Sequence, residues 1–352
     1  MTTTDFNPIQ VGLASYGMSG KVFHAPLLAV NPRFRLKKVL ERQNQKSKIH
    51  YPEVEVVKTF EALLNDEAIE LVVVNTPNVL HYEMASKALL AGKHVVVEKP
   101  FTTTAKEAET LIDIARKQNK VLTVFQNRRW DSDFLTIQKV VSEKLLGQLV
   151  EYEAHYDRFV NYIAANTWKE DVGPGSGILY NLGSHMIDQM LVLFGKPQAV
   201  TAAVGTRREG SKIDDYYDIT FQYKGLNAVL KSSYLVRELG PRYILHGTDG
   251  SFVKYGIDPQ EEALKADQKP KGPGWGQESP SEWGKINTQL NGLHIIGNIE
   301  TLPGDYPGFY NNLYEVIREG KELAVKPEEA ALVIELIELA IQSSNEGRTV
   351  RF

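Results

Sequence analysis

The chain has 352 residues, of which 42% are hydrophobic and 24% charged, with a formal net charge of −4. Such a chain is globular and longer than one core usually serves, and it lacks the basic excess that nucleic acid would require. It contains no cysteine, which excludes disulfides, thiolate nucleophiles and Cys-ligated zinc and fits a reducing, cytoplasmic location. The polar N-terminus has no apolar signal region, and no apolar run is long enough to cross a bilayer, so no membrane partner is expected.

In chain order, residues 9–14 form an apolar strand candidate. A helix follows over 20–30, with Phe23, Leu27 and Val30 at helical spacing. Strand-like segments recur at 34–40, 54–57, 69–74, 95–97 and 121–125. Between them lie helical patterns, one capped by Thr59, one over 78–91 ending before Gly92, and one opened by the capping box Thr104-Ala-Lys-Glu107. Strand alternating with helix predicts a doubly wound parallel sheet of Rossmann type over 1–125.

The first strand–helix turn reads Val11-Gly-Leu-Ala-Ser-Tyr-Gly-Met-Ser-Gly20. Gly17 and Gly20 match the second and third glycines of the dinucleotide fingerprint, and Ser15 replaces the first. Ser15, Gly17, Ser19 and Gly20 are therefore candidate phosphate-binding residues at a helix N-terminus. An ordinary strand–helix turn is the alternative. Glu41 ends the second strand about 20 residues on, where an acid would bond the adenine ribose and favour NAD. Arg42 follows and could hold a 2′-phosphate instead. The cofactor is thus NAD or NADP, with NAD slightly favoured.

Residues 94–100 read His-Val-Val-Val-Glu-Lys-Pro. The valines suit a strand buried on both faces, and ligands bind beyond the carboxyl ends of such strands. Glu98 and Lys99 either face solvent there or act on a ligand. Asn75-Thr-Pro77 and His81 follow another strand at the same end. Asn127 and Arg128 follow the last strand, where both could meet substrate, or the arginine serve only an ion pair.

From residue 149 the period becomes two. Val150, Tyr152, Ala154 and Tyr156 alternate with charged or polar neighbours. Further strands are predicted at 199–204, 217–223, 228–234, 243–245 and 251–255, with Thr248-Asp-Gly250 as a hairpin signal. A second domain over 126–352 is therefore expected. It should be α+β, with a mostly antiparallel, open-faced sheet, one face on the helix of 181–193. The aromatic-rich other face favours a symmetric partner, giving a homodimer or homotetramer. Residues 269–285 read as a long loop and 327–343 as an amphipathic helix. Asn181, His185 and Asp188, spaced four and three apart, would share a helix face. Asp157 and Tyr234 are weaker candidates for contacts to substrate hydroxyls.

Four segments together resemble the Gfo/Idh/MocA family of NAD(P)-dependent oxidoreductases. They are Gly17–Gly20 running into Phe23-His-Ala-Pro26, Asn75-Thr-Pro77, Glu98-Lys-Pro100, and the stretch from Gly177 to Asp188. The Phe-His-Ala-Pro, Gln126-Asn-Arg-Arg-Trp-Asp131 and Gly173-Pro-Gly-Ser-Gly177 segments look most like the bacterial scyllo-inositol dehydrogenase branch. The resemblance implies that Lys99 is the catalytic lysine and His185 the proton acceptor. It also places cofactor contacts at Asn75, Thr76, Pro77 and His81. Glu98 and Lys99 are further cofactor candidates at the same edge, and Trp168 either lines the cofactor ribose or serves as a core aromatic. Many members carry a carboxylate one turn before the histidine; here Asn181 stands there, keeping hydrogen-bonding capacity and losing the charge.

The chemistry expected is transfer of hydride between a nicotinamide and a secondary alcohol of a cyclic polyol or sugar. An imidazole, with a reference pKa of ~6.5, suits proton acceptance, and an ammonium stabilises alkoxide character. No metal is expected, because no His-x-x-x-His or cysteine ligand set is present. Two alternatives are an NAD-dependent glycoside hydrolase and a dinucleotide-binding regulator without catalysis.

Overall fold

The computed structural model describes residues 7–165 and 167–352. The chain separates into two compact units. The first runs through Trp130 and also takes in 259–275 and 305–331, which a single cut at 125/126 would assign elsewhere.

In the first unit β1 (Ile9–Leu13), β2 (Phe34–Leu40), β3 (Glu55–Val57), β4 (Leu71–Val74), β5 (His94–Val97) and β6 (Leu122–Val124) form one sheet in the order β3-β2-β1-β4-β5-β6. Every pair is parallel. The chain winds outward from β1, then returns to its other side at β4, so the switch point lies between these two strands, where α/β sheets bind ligands. All of β4 is buried, as are Val95 to Val97 of β5, which explains why both strands are β-branched runs without alternation.

The expected caps are present. Thr59 accepts from Ala62 N–H, and Thr104 and Glu107 form a reciprocal capping box. The helix expected over 78–91 begins as a 3-10 turn, Asn78–Leu80, before His81–Leu90. The helix Pro307–Glu319, not anticipated, buries Phe309, Tyr310, Leu313 and Tyr314. Its aromatic rings meet Phe125, Phe34 and His24 of the Rossmann core.

The second unit holds a nine-stranded sheet. Its strands are β7 (Leu149–His155), β8 (Ala199–Gly205), β9 (Tyr216–Tyr223), β10 (Leu226–Ser233), β11 (Tyr243–Gly247), β12 (Gly250–Lys254), β13 (Gly284–Leu290), β14 (Leu293–Ile299) and β15 (Val350–Arg351). The order is β14-β13-β12-β11-β7-β10-β9-β8-β15, antiparallel except for β7–β10. Tyr152 and Ala154 point inward from β7, while Val150 is exposed. The inner face packs on the helix Ser184–Phe194, where Tyr243 donates to Gln189 Oε1 at 2.8 Å and Tyr217 to Met186 Sδ at 2.9 Å.

The β13–β14 hairpin lies beyond the expected strands. Its two-residue turn is Asn291-Gly292, both with positive φ (51° and 79°), the type I′ geometry that Asn-Gly favours. No helix among the described residues is long and apolar enough to cross a membrane.

Candidate active site

In the first unit the turn after β1 passes directly into a π-helical turn, Gly20–His24, and then the helix Ala25–Val30. A Cβ on Gly20 would lie 2.3 Å from Ser15 O and 2.8 Å from Asn75 Nδ2, so only glycine lets the helix start this close to the strand. Gly17 N–H donates to Ser15 Oγ at 3.1 Å. Ser15, which replaces a glycine of the fingerprint, thus stabilises the turn with its own side chain.

Asn75, at the end of β4, donates from Nδ2 to Ser15 O at 2.8 Å and reaches Ser19 Oγ at 3.5 Å. It ties together the two loops flanking the switch point. Asn75 Oδ1 and Thr76 Oγ1 are buried with no hydrogen-bond partner among the described residues. Buried polar atoms left unsatisfied are costly, and at the ligand end of a Rossmann sheet they fit the polar groups of a dinucleotide. The glycine turn, the helix start and these two atoms form a cradle that suits such a cofactor.

Two expected cofactor contacts have a different geometry. Glu41 is buried, and its carboxylate accepts from Lys46 N–H (2.8 Å), Ser47 N–H (2.9 Å) and Ser47 Oγ–H (2.5 Å). It stabilises the start of the short helix Ser47–His50. Lys58 Nζ holds the same loop through Glu41 O at 2.9 Å. Arg42 through Lys46 are left exposed. His81 is fully buried, with Nδ1 2.9 Å from Pro100 O and Nε2 2.9 Å from Thr76 O. Burial lowers its pKa. Its ring lies between the loops after β4 and β5, and as a neutral imidazole it carries one N–H, which donates to one of these two carbonyls.

Lys99 follows β5 at the carboxyl edge and is half-buried; its bond to Pro100 is cis. Glu98 Oε2 accepts from Lys99 N–H at 3.0 Å, and Glu98 Oε1 lies 3.0 Å from His24 Nε2. His24 Nδ1 lies 2.7 Å from the Tyr310 hydroxyl. Burial pushes the Glu98 pKa up, but the hydrogen bond to His24 and the neighbouring Lys99 charge prevail, so it sits below the usual carboxylate range. Neither His24 nor Tyr310 was singled out by sequence reasoning. His24 belongs to the Phe-His-Ala-Pro segment, a family marker that carried no chemical role there.

Asn127 opens a 3-10 turn after β6 and is buried. Arg128 donates to Glu261 Oε2 at 2.6 Å. Burial raises the Glu261 pKa, but Arg128 and Lys265 hold it down at about 2. Arg128 thus forms an ion pair with Glu261 within the first unit.

In the second unit a π turn, Leu179–Gly183, precedes the helix Ser184–Phe194. Thus both helices expected at the site begin with a π turn, a feature frequent at functional sites. Gly177 has φ +92°, and a Cβ there would overlap the Asp214 carboxylate. Asp214 Oδ2 accepts from Leu179 N–H at 2.8 Å; burial raises the carboxyl pKa to about 6.

Asn181 hydrogen-bonds the Tyr234 hydroxyl, and burial raises the Tyr234 pKa. The Arg208 guanidinium lies 4.8 Å from the Tyr234 ring centre and is itself held by Asp215 and Glu170, each at 2.9 Å. Sequence reasoning missed this arginine. His185 and Asp188 are buried in the helix. Asp157 is turned to its own sheet, accepting from Ser233 N–H at 2.9 Å and lying 3.0 Å from His155 Nδ1. Trp168 opens a 3-10 turn, Trp168–Glu170; its side chain lies outside the described residues.

Residues 9–126 match the family described as "Oxidoreductase family, NAD-binding Rossmann fold". Residues 138–352 match "Oxidoreductase family, C-terminal alpha/beta domain". A scyllo-inositol 2-dehydrogenase (NADP(+)) of Bacillus subtilis is 45% identical over 97% of this chain and 95% of its own. A levoglucosan dehydrogenase of Pseudarthrobacter phenanthrenivorans is 28% identical over 70% of this chain and 73% of its own. Among solved structures, an oxidoreductase of Bacteroides fragilis superposes with a TM-score of 0.91 at 47% identity, covering 98% of this chain and 100% of the other. On this evidence the chain belongs to the Gfo/Idh/MocA family of NAD(P)-dependent oxidoreductases.

Proposed function

We propose that the protein interconverts a secondary alcohol and a ketone on a cyclic polyol or sugar of inositol type. The observation that carries this reading is Lys99, half-buried at the carboxyl end of β5 and backed by the Glu98 carboxylate, in the unit that holds the dinucleotide cradle. The Bacillus relative, named for scyllo-inositol, supports the substrate class.

When bound, the nicotinamide dinucleotide supplies the partner for hydride transfer. The turn from Ser15 to Gly20, with Asn75 and Thr76, would hold it. Lys99 directs positive charge at the oxygen as its proton leaves, and the family resemblance assigns His185 the part of proton acceptor. Asn181 and Tyr234 orient hydroxyl groups of the substrate.

For the cofactor the structure moves the balance towards NADP. Glu41 was expected to bond the ribose 2′-OH, but its oxygens serve the 46–47 backbone. Arg42 stands exposed beside it, suited to a 2′-phosphate. Mixing the protein with NAD or NADP and a panel of inositols and aldoses, while following reduced cofactor, tests both points. Turnover is expected with at least one inositol and faster with NADP. Arg42→Ala should raise the NADP KM by roughly tenfold, the loss of about one charged hydrogen bond, and leave the NAD KM within about twofold. No turnover across the panel in either direction would remove the substrate reading, and equal KM changes would remove the role of Arg42.

We further propose self-association through the second unit. The edge strand β14 exposes Leu293 and Ile296, and Val150 and Tyr255 are also exposed on this unit. Unpaired edges and apolar surface of this kind favour another copy. Light scattering that returned a monomer mass at assay concentrations would exclude it.

A further inference from the structure

We infer that the buried chain of Tyr310, His24 and Glu98 positions Lys99 and links its loop to the dinucleotide-binding helix. This rests on the reading of Lys99 as the residue that acts on the substrate hydroxyl. The three side chains come from separate parts of the first unit. His24 closes the π turn that begins at Gly20, Glu98 directly follows β5, and Tyr310 lies on the helix Pro307–Glu319. His24 and Tyr310 are fully buried and Glu98 nearly so.

The direction of the chain follows from donor and acceptor chemistry. An ionised carboxylate only accepts, so His24 Nε2 carries the proton given to Glu98 Oε1. With Nε2 as donor, Nδ1 of a neutral ring accepts from the Tyr310 O–H. Burial raises the Tyr310 pKa well above its ordinary value, which keeps the phenol protonated as a donor. Glu98 Oε2 then accepts the Lys99 backbone N–H.

The surroundings keep this chain dry and rigid. Phe125 packs on the His24 ring at 4.4 Å between centres, and Phe309 on Phe125 at 4.9 Å. The other titratable groups that act on Glu98 are Lys99 itself and His81, whose ring braces Pro100 O. Lys99 is therefore held from both sides. Glu98 fixes its N–H, and the His81 ring lies against the carbonyl of the next residue. Because His24 sits one helical turn after Gly20, a shift of the nucleotide-binding helix is transmitted to Glu98 through a single hydrogen bond. His24 and Tyr310 touch neither substrate nor cofactor in this scheme; they are positioning residues.

Three variants of the full chain test this: His24→Leu, His24→Gln and Tyr310→Phe. Glutamine places an N–H donor close to the position of imidazole Nε2, and leucine places none. His24→Leu should lower kcat roughly 10- to 100-fold, as expected for a small misplacement of a reacting group, with the dissociation constant for the dinucleotide within about threefold. His24→Gln should recover most of that loss. Tyr310→Phe, which removes one oxygen, should lower kcat by about two- to fivefold and guards against a leucine variant that does not fold. Equal losses in the leucine and glutamine variants, or a leucine variant within twofold of the parent, would overturn the proposal. A parent protein silent on every polyol would count against the proposed reaction. The positioning chain would still be tested by 15N NMR of the His24 ring in the cofactor-free protein. The expected signature is a neutral, Nε2-protonated tautomer that changes in Tyr310→Phe. A ring protonated on Nδ1, or one indifferent to Tyr310, would overturn it.

Discussion

Lys99→Ala is expected to lower kcat by roughly 10²- to 10³-fold, the usual consequence of removing one group that stabilises developing oxygen charge. The dissociation constant for the dinucleotide should stay within about threefold, because the cradle is built from Ser15, Gly20, Asn75 and Thr76. The argument rests on position. Val95 to Val97 are fully buried, and Glu98 anchors the next backbone N–H, so the lysine Cα is held while its side chain is half-exposed at the ligand end. Truncation then removes charge without disturbing the strand. Steady-state kinetics together with a cofactor fluorescence titration separate the two quantities. A variant with parental kcat would show that Lys99 takes no part in the reaction.

Gly20→Ala should have the opposite signature. The added methyl meets a backbone oxygen, Ser15 O at 2.3 Å, and the Asn75 amide at 2.8 Å. Ser15 O lies in the turn itself and cannot swing aside as a flexible side chain would. The turn must open or the helix must retreat, at a cost of about 1–3 kcal/mol for overpacking of this kind. Either movement breaks the Asn75–Ser15 bond that joins the two loops. If that cost falls on the bound state, the dissociation constant for the cofactor rises by roughly 5- to 150-fold, while kcat at saturating cofactor changes by less than about threefold. A thermal melt shows how much of the cost is instead taken by the fold. Unchanged affinity and unchanged melting would mean the turn is not the cofactor cradle.

The π turn after Gly20 shows where sequence reading reaches its limit. Spacing of Phe23, Leu27 and Val30 predicts the helix, and the structure has one over 20–30. Yet the extra residue in its first turn is invisible to periodicity, because it is set by how closely the helix approaches Ser15 and Asn75. It is part of the setting in which His24 faces Glu98. Sequence distance hides such a pairing, since the partners are 74 residues apart and Tyr310 is 286 from His24.

Glu41 is the matching case for a motif. An acid at the end of β2 is where the fingerprint wants one, and the strand does end there. What the carboxylate meets depends on the following loop, which folds back so that the 46 and 47 N–H groups reach it first. The Asn291-Gly292 turn is different again. Its turn signal is strong, but the apolar residues beside it are exposed on an edge strand and do not alternate as a half-buried strand does, so periodicity does not reveal the hairpin.

The family was thus read from the resemblance of four motifs, whereas local chemistry alone specified the alternation of strand and helix, the buried valine strands, the caps, the dinucleotide turn and the antiparallel second sheet. These follow from short-range patterns of burial, hydrogen bonding and backbone freedom. The partners of Glu41, His81, Glu98 and Arg128 emerged only with the tertiary structure, as did the inclusion of 259–275 and 305–331 in the first unit. The physical reason is the same in each case. A buried polar side chain must be satisfied, and which group satisfies it is decided by whichever distant segment packs within about 3 Å.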